Sequence, residues 1–324
     1  MTSTATRPAP LTRPVARPAI GIVMVVTAAT IFALNGTVSK LLLQGGFDAP
    51  QLTTFRATGA FVGLLLLSLV TGPRRLAVRR RELPLLITFG LAGFFLVPTL
   101  YFVAISRLPV GIGLLFEFTA PAFVALWVRF GEREQVRRRL WVGLVLCLAG
   151  LIAVAQIWTG RLSLDPVGIA AGMASAVLLA GYYVLGAKSV SNRDPLSVTC
   201  WAFGVAAVAG AVVRPWWNFP AHLLAGSSDG VPMWLLAIYL LIFGTILPYL
   251  LISASMRHLP PTSVGIIGMT ELVLASVFAW FLLDEVLSVT QIVGGLVLLA
   301  GVILAETART ARRDAPVVPE LPTG

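Results

Sequence analysis

Charged residues are scarce in this 324-residue sequence. They make up 12% of the chain, whereas hydrophobic residues make up 57%. A soluble domain has about 25% charged residues, so this composition excludes an ordinary soluble domain and predicts a protein that crosses the lipid bilayer several times. The net charge of +10 comes from short basic segments between apolar runs. That distribution is typical of membrane topology, so we expect no nucleic-acid partner.

Cysteine and histidine are almost absent as well. Cys147 and Cys200 lie in apolar runs, and His222 and His258 lie between such runs. Residues spread in this way form neither a zinc ligand set nor a disulfide framework. The sequence also has no G-x-x-x-x-G-K-[ST] motif, so it contains no ATP-driven motor of that type. We therefore expect no metal, no cofactor and no enzymatic activity.

Ten apolar runs are present, each of about the 20 residues that a helix needs to cross a bilayer core. They cover residues 19–42, 51–71, 84–105, 109–129, 139–158, 166–187, 196–216, 232–255, 261–282 and 288–307. We predict an all-α integral membrane protein with ten transmembrane helices. Residues 1–18 and 308–324 are polar and contain proline, so we predict disordered cytoplasmic tails there.

Basic residues are distributed unequally between the two sides of these helices. If the helices alternate across the membrane, 19 of the 24 Lys and Arg residues fall on the side of both termini. Four fall on the other side, and Arg56 lies within the second helix. Because basic loops stay in the cytoplasm, we expect both termini to be cytoplasmic.

The chain repeats itself at an offset of 151 residues. The matched positions are Gly93 and Gly244, Leu108-Pro109 and Leu259-Pro260, Thr119 and Thr270, Glu134 and Glu285, Gly143 and Gly294, and Ala149-Gly150 and Ala300-Gly301. Lys40 and Lys188 close the first helix of each half at an offset of 148. We therefore predict two repeats, 19–158 and 166–307. Five helices per repeat is an odd number, so the repeats are inverted, an architecture typical of secondary transporters with a site near the midplane.

The repeat, its Leu-Pro pairs, Glu134 and Glu285 resemble the EamA family of the drug/metabolite transporter superfamily. More narrowly, two stretches are similar to its threonine/homoserine exporter branch: Phe116-Glu117-Phe118-Thr119-Ala120-Pro121, and Leu247-Pro248-Tyr249 with Met269-Thr270-Glu271. That branch has Pro after the second glutamate, where this chain has Leu272. The resemblance implies a bacterial inner-membrane transporter that exports amino acids or related metabolites. It also implies a cavity formed mainly by helices three, four, eight and nine.

Glu117, Glu271 and Arg56 are the principal candidates for substrate binding or proton coupling. An ionised side chain is costly in hydrocarbon, so an intramembrane acid suggests a functional site. The inverted repeat places the two glutamates at nearly one depth, close to the depth of Arg56. The glutamates can anchor a substrate ammonium group, carry a proton, or serve as protonated interhelical contacts. Arg56 can receive a substrate carboxylate or form a structural ion pair.

Further residues are candidates for lining or gating the cavity. Prolines within helices break a backbone hydrogen bond, and such breaks form gates, line sites or are tolerated kinks. Polar side chains in the same helices can donate hydrogen bonds to a substrate or simply pack. The cavity and gating candidates are Asn35, Pro98, Tyr101, Phe116, Thr119, Pro121, Tyr182, Pro248, Tyr249 and Thr270, and Tyr183 is a further potential donor.

We interpret the chain as a secondary transporter that works by alternating access on a small-molecule substrate, as a monomer or homodimer. A multidrug exporter of the same fold, a membrane-embedded enzyme and a non-transporting receptor are the alternatives. Glu134 and Glu285 are interpreted as solvated caps, and Lys40 and Lys188 as cations that favour the C-terminal dipoles of their helices.

Overall fold

Ten membrane-length helices form the protein in a computed structural model that describes residues 17–158, 165–191, 193–283 and 288–313. In chain order they are α1 (Pro18–Gln44), α2 (Ala49–Thr71), α3 (Arg80–Arg107), α4 (Val110–Gly131), α5 (Arg138–Ala155), α6 (Pro166–Ser191), α7 (Pro195–Val213), α8 (Met233–Ser255), α9 (Pro261–Phe278) and α10 (Val289–Thr307). The prediction of an all-α membrane protein with ten spanning helices is confirmed for this part of the chain.

The last helix is longer than its apolar run. The sequence predicts a disordered tail from residue 308, but the helix that contains α10 continues to Arg313. Alanine and arginine, which dominate this stretch, are strong helix formers, and cations are favourable near a helix C-terminus. Residues 1–16 and 314–324 lie outside the described residues, and so does Glu285.

Helices α3 and α8 carry matching π-helical segments. Helix α3 consists of the 3-10 turn Arg80–Glu82, the α-helix Leu83–Phe89, the π-helix Gly90–Leu96 and the α-helix Val97–Arg107, and α8 consists of Met233–Leu241, the π-helix Ile242–Ile246 and Leu247–Ser255. Pro98 and Pro248 lie in the first turn after the π-helices. Because proline has no N–H, it cannot bond to the carbonyl four residues earlier, and the backbone widens before it.

Helices α1, α4 and α9 are interrupted. Helix α4 consists of Val110–Glu117, Ala120–Leu126 and the π-helix Trp127–Gly131; α1 consists of Pro18–Phe32 and Asn35–Gln44; α9 consists of Pro261–Gly268 and a segment that runs from Thr270 to Leu283. Pro121 explains the break in α4, whereas the sequence near the other two breaks contains no proline. The breaks leave Glu117 at the end of one segment and Glu271 in the first turn of another.

The two five-helix repeats, α1–α5 and α6–α10, pack through equivalent helices. Helix α5 packs against α10 and α2 against α7, while α3 contacts α6 and α8 contacts α1. Glycines permit the close approach of α5 and α10: a Cβ on Gly150 would lie 2.5 Å from the amide nitrogen of Leu298. The largest fully buried side chains include Phe89, Phe94 and Phe203.

We call the face where α1 begins and α10 ends the terminal face, and the other the opposite face. Several polar contacts join helices at the opposite face. Lys40 Nζ donates a hydrogen bond to the Leu108 carbonyl at 3.0 Å, and Arg214 pairs with Asp48 at 2.8 Å. The loop after α7 adds a small antiparallel hairpin, β1 (Ser227–Ser228) with β2 (Val231–Pro232), which is the departure from a purely helical fold.

Asp165 joins α3 to α6 at the opposite face. Its carboxylate accepts a hydrogen bond from the Gly168 amide at 2.9 Å and pairs with Arg107 at 3.2 Å. The Gly168 N–H, with the Arg107 guanidinium as a further cause, holds the pKa of Asp165 below its usual range. The ionised carboxylate therefore favours the capped and clamped conformation.

Candidate functional site

A cavity of about 100 Å³ lies inside the helix bundle, lined by residues of both repeats. Helices α1, α2, α3, α4, α6, α8 and α9 contribute to its wall. The structure brings together on this wall the candidates Asn35, Arg56, Pro98, Tyr101, Glu117, Tyr182, Tyr183, Tyr249 and Glu271. One guanidinium and two carboxyl groups from three helices therefore share a single small space.

Arg56 is held by aromatic faces and a backbone carbonyl. Its guanidinium carbon lies 5.2 Å from the Tyr249 ring centroid and 5.6 Å from that of Phe102, in cation–π contact with both. Its Nη2 lies 3.4 Å from the Gly244 carbonyl. That carbonyl would bond to residue 248 in a regular helix, but Pro248 has no N–H. Within the described residues Arg56 forms no ion pair within 4.0 Å.

Glu117 ends the first segment of α4 and faces the cavity while half-buried. Its Oε1 lies 3.1 Å from the Ser175 hydroxyl of α6, which is also 3.1 Å from the carbonyl of Val97 in α3. A hydroxyl has one hydrogen to donate. Ser175 therefore donates either to the ionised Glu117 carboxylate or to the Val97 carbonyl, and in the second case it can accept a hydrogen bond from protonated Glu117.

Glu271 lies in the first turn of the second segment of α9, also half-buried and facing the cavity. In the described part of the chain its carboxyl group makes no hydrogen bond or ion pair. A helix N-terminus favours a negative charge. With Arg56 and both glutamates ionised, the cavity holds one excess negative charge, which a bound cation or proton would neutralise.

Three buried polar atoms on the cavity wall have no hydrogen-bond partner among the described residues. They are Asn35 Oδ1, Tyr101 Oη and Arg56 Nε. Most buried polar groups in proteins are hydrogen-bonded, so unpaired atoms that surround one cavity call for a ligand or water. They come from α1, α3 and α2, so a molecule bound here would contact three helices of the first repeat.

Aromatic side chains form part of the apolar wall. The Tyr182 ring lies 5.3 Å from Tyr183 and 6.1 Å from Tyr249 between centroids, and Tyr249 lies 5.0 Å from Phe94. Aromatic pairs at these distances stabilise one another and hold each ring in a fixed orientation. These contacts favour fixed positions for the rings, and the polar and charged groups of the wall are available to recognise a substrate.

Five predicted cavity residues lie away from this wall: Phe116, Thr119, Pro121, Pro248 and Thr270. The hydroxyl groups of Thr119 and Thr270 donate to carbonyls of their own helices, those of Phe116 and Ile267. Phe116 packs beside Gly172 of α6. These residues are neighbours of Glu117 and Glu271 in sequence, but helical rotation points them elsewhere.

Pro121 and Pro248 act at one remove from the cavity. Pro121 packs against Gly265, where α4 meets α9. Pro248 is buried in α8 and leaves the Gly244 carbonyl available to Arg56. The sequence predicts that these two prolines interrupt their helices. In the structure they position neighbouring groups, but their own side chains do not line the cavity.

The sequence predicted Asn35 of α1 and the two tyrosines of α6 on this wall, but not their neighbours in the same helices. Val25, Ala29 and Phe32 of α1 and Leu179 of α6 line the cavity, and Ser175 binds Glu117. The 148-residue offset that relates Lys40 to Lys188 also relates Asn35 to Tyr183. This offset makes α1 and α6 equivalent helices, so the sequence contains a signal that both helices contribute to the cavity.

A second, larger cavity of about 960 Å³ opens at the terminal face. Its lining includes Val128, Val184, Lys188, His258 and Leu259. We call it the vestibule. A small apolar cluster separates it from the central cavity: Ala120, Phe123, Val124 and Val128 of α4, with Leu179, Ala180, Tyr183 and Val184 of α6. Leu179 and Tyr183 line the central cavity on one side of this partition, and Val128 and Val184 line the vestibule on the other.

The EamA-like transporter family matches residues 19–156 and 166–307, one match in each half. The chain belongs to this family. It is 30% identical to a transporter of Archaeoglobus fulgidus over 84% of this chain and 92% of that protein. It is 27% identical to the threonine/homoserine exporter RhtA of Escherichia coli strain K12 over 75% of this chain and 77% of that protein.

A solved crystal structure with 19% identity shares the fold, with a TM-score of 0.72 over 92% of this chain and 98% of that one. Family membership makes the protein a multi-pass membrane transporter of a small molecule and confirms the prediction that it is not an enzyme. Among the residues that the structure describes, no group of three or more His, Cys, Asp or Glu side chains is placed to hold a metal.

Proposed function

We propose that this EamA-family transporter exports small amino acids or related metabolites by alternating access, with proton coupling through Glu117 or Glu271. The observation that carries the proposal is the meeting of Arg56 with two carboxyl groups on one small cavity. The 27% identity to RhtA, which is named for threonine and homoserine, supports the substrate class.

The charges of the cavity complement a zwitterion. Arg56 offers a planar guanidinium, and arginine binds carboxylates through two parallel hydrogen bonds. Its Nε is buried and unpaired, and no acidic side chain competes for the group within 4.0 Å in the described residues. Glu117 and Glu271 offer the negative charge that an ammonium group requires. A cation alone would leave Arg56 without a partner, and an anion alone would leave both glutamates without one.

The volume favours a small substrate. Pockets for drug-sized ligands measure roughly 300–1,000 Å³, whereas this cavity measures about 100 Å³. Its aromatic rings are interlocked, so they resist the expansion that a bulky, unselective ligand would need. A small amino acid fits this environment better than a large lipophilic cation, which is the substrate expected of a multidrug exporter.

The two ends of the pathway differ, as alternating access requires. The vestibule opens widely at the terminal face and ends at the partition of α4 and α6. At the opposite face, the Lys40 hydrogen bond and the Asp48–Arg214 ion pair join neighbouring helices and support a closed face. The excess of basic residues on the terminal face supports a cytoplasmic orientation for it in the bacterial inner membrane. The described conformation then corresponds to an exporter open towards its cytoplasmic substrate.

A proton and a substrate ammonium group compete for the same negative charge. Binding of a proton to one glutamate removes the excess charge of the cavity and weakens its attraction for an ammonium group. Ser175 can follow this change, because its hydroxyl either donates to the Glu117 carboxylate or accepts from the protonated acid. Antiport of a proton against an amino acid is the expected result.

Flux in proteoliposomes tests the proposal. With an imposed pH gradient, threonine or homoserine should move against its concentration gradient, and Glu117→Gln or Glu271→Gln should abolish the pH-driven component. Glu132→Gln is the matched control, because Glu132 is exposed on the vestibule wall. The coupling proposal fails if both cavity variants keep full pH-driven flux. Binding without flux would favour a receptor, and flux of cationic dyes in preference to amino acids would favour a multidrug exporter.

A further inference from the structure

Two equivalent lysines have unlike environments. Lys40 lies one turn before the end of α1 and Lys188 lies in the last turn of α6, at the offset of 148 that relates these two helices. Lys40 is half-buried, and its Nζ donates to the Leu108 carbonyl at 3.0 Å. Lys188 is exposed on the vestibule wall, and within the described residues its ammonium group donates no hydrogen bond. Leu259, the repeat equivalent of Leu108, lines the same vestibule.

The bond made by Lys40 has a clear chemical basis. Leu108 follows the last residue of α3, and carbonyls at a helix C-terminus lack intrahelical partners and carry partial negative charge. Pro109 follows directly and begins the connection to α4. Leu259 likewise precedes a proline, Pro260, in the connection between α8 and α9, but a turn separates it from Ser255, the last residue of α8. Each lysine is therefore related to a carbonyl between two helices of its own repeat.

We propose that Lys40 and Lys188 are alternating latches, each closing one face of the transporter by binding the carbonyl of Leu108 or Leu259. This inference rests on the alternating access proposed above. In inverted repeats, an exchange of conformation between the two halves converts a state open to one face into the state open to the other. Lys40 is bound because the opposite face is closed, and Lys188 is released because the terminal face is open.

The two latches act on opposite states. The Lys40 bond exists only while the opposite face is closed, so it stabilises the conformation described here. The Lys188 bond forms only when the vestibule closes, so it stabilises the alternative conformation. In the open arrangement each ammonium group is hydrated, and its bond is lost. Removal of one lysine therefore shifts the equilibrium one way, and removal of the other shifts it the opposite way.

A pair of engineered cysteines can report these shifts. Ser39 is fully buried and lies one turn beyond the cavity residue Asn35, towards the opposite face. Ala187, its equivalent at the offset of 148, lies one turn beyond the cavity residue Tyr183 and lines the vestibule. Ser39→Cys should react with a charged thiol reagent only when the opposite face opens. Ala187→Cys should react readily in the described conformation.

The native cysteines serve as an internal control. Cys147 and Cys200 are fully buried, so they should remain unreactive in any variant that is folded. Labelling of these cysteines in detergent without the reporters marks an unfolded sample, which is excluded from the comparison. No change to the native cysteines is therefore required.

The decisive measurement is the labelling rate of Ser39→Cys in purified protein with Lys40→Met or Lys188→Met. Lys40→Met should raise the rate about tenfold and Lys188→Met should lower it by a similar factor, which corresponds to about 1.4 kcal/mol for each lost bond. Lys40→Arg keeps a cationic donor and should change the rate less than Lys40→Met. Ala187→Cys should react no faster in the Lys40→Met background than in the parent.

The latch proposal is overturned if the two methionine variants shift the Ser39→Cys rate in the same direction, or if either leaves it unchanged. Amino-acid flux in proteoliposomes is measured on the same variants, because it separates the two proposals. If the two methionine variants change the Ser39→Cys labelling rate in opposite directions but no amino acid is transported, the latches are supported and the proposed export is contradicted. Amino-acid flux without opposite changes in the labelling rate would support export and contradict the latches.

Discussion

Replacement of Arg56 by glutamine provides the sharpest test of zwitterion recognition. The side chain is buried, stacked on Tyr249 and Phe102 and directed into the cavity with an unpaired Nε. Glutamine keeps a hydrogen-bond donor but loses the charge and the stacked plane. A hydrogen bond to a charged group contributes about 1.5–3 kcal/mol, which corresponds to roughly 10- to 100-fold in affinity. We expect Arg56→Gln to weaken the binding of an amino acid by that factor.

The assay compares an amino acid with the amine that lacks its carboxylate. Arg56→Gln also leaves Glu117 and Glu271 without a nearby cation, and this general effect alters the binding of both ligands. The ratio of the two dissociation constants cancels it and isolates the carboxylate contact, in the manner of a double-mutant cycle. Isothermal titration of both ligands against wild type and variant, in detergent, gives the four constants that are needed.

The wild type should bind the amino acid more tightly than the amine, and the ratio of the two dissociation constants should fall by tenfold or more in Arg56→Gln. Arg56→Lys should fall between the two, because it keeps the charge but loses the planar fork and its contacts with the two rings. If the preference for the amino acid is the same in all three proteins, Arg56 does not contact the carboxylate and its role is structural.

Other predictions concern packing and protonation. Gly150→Ala should lower the thermal unfolding temperature in detergent, because its Cβ would press on the backbone of α10 and overpacking costs about 1–3 kcal/mol. Gly181→Ala is the control, since its new Cβ has no neighbouring side chain or helix within 4 Å, and it should have little effect. Equal shifts in unfolding temperature for the two variants would contradict the close approach of α5 and α10. Asp165→Asn should lower the free energy of unfolding at pH values above the ordinary aspartate pKa. This loss of stability should disappear as the pH falls through the lowered pKa of Asp165 in the folded protein, because a carboxyl with a depressed pKa stabilises only when ionised. A stability difference that is constant with pH would refute this role. Ser175→Ala should shift the pH dependence of amino-acid flux in the otherwise wild-type protein. The same substitution should have almost no effect on flux in a protein that already carries Glu117→Gln. Additive effects of the two substitutions would show that Ser175 does not act through Glu117.

Much of the fold followed from composition and periodicity. Apolar runs of membrane length predict the ten helices, because only a segment that satisfies its own backbone hydrogen bonds is stable in lipid. The same logic does not predict where those helices break. Pro121 marks the interruption of α4, but the break at Met269 in α9 has no proline. Its position matches that of Phe118 in the other repeat, so it depends on how the repeat packs.

The candidate site was predicted in part. Glu117, Glu271 and Arg56 were conspicuous because charge is rare in an apolar helix, and the structure places all three on one cavity. Their neighbours Thr119 and Thr270 were included for proximity in sequence, and both hydroxyl groups instead bond within their own helices. Adjacent residues in a helix point in different directions, so sequence proximity alone does not place a side chain in a cavity.

The sequence by itself determined the membrane class, the helix number, the inverted repeat and the charged groups that must be accommodated in lipid. These properties depend on hydrophobicity and on the spacing of residues along one chain. Only the tertiary structure decided that Ser175 of α6 binds Glu117, that Arg56 rests on two rings instead of a carboxylate, and that the larger cavity lies at the terminal face. Such contacts join residues far apart in sequence, and even repeat-equivalent residues differ: Lys40 donates a hydrogen bond to the Leu108 carbonyl, whereas Lys188 is exposed.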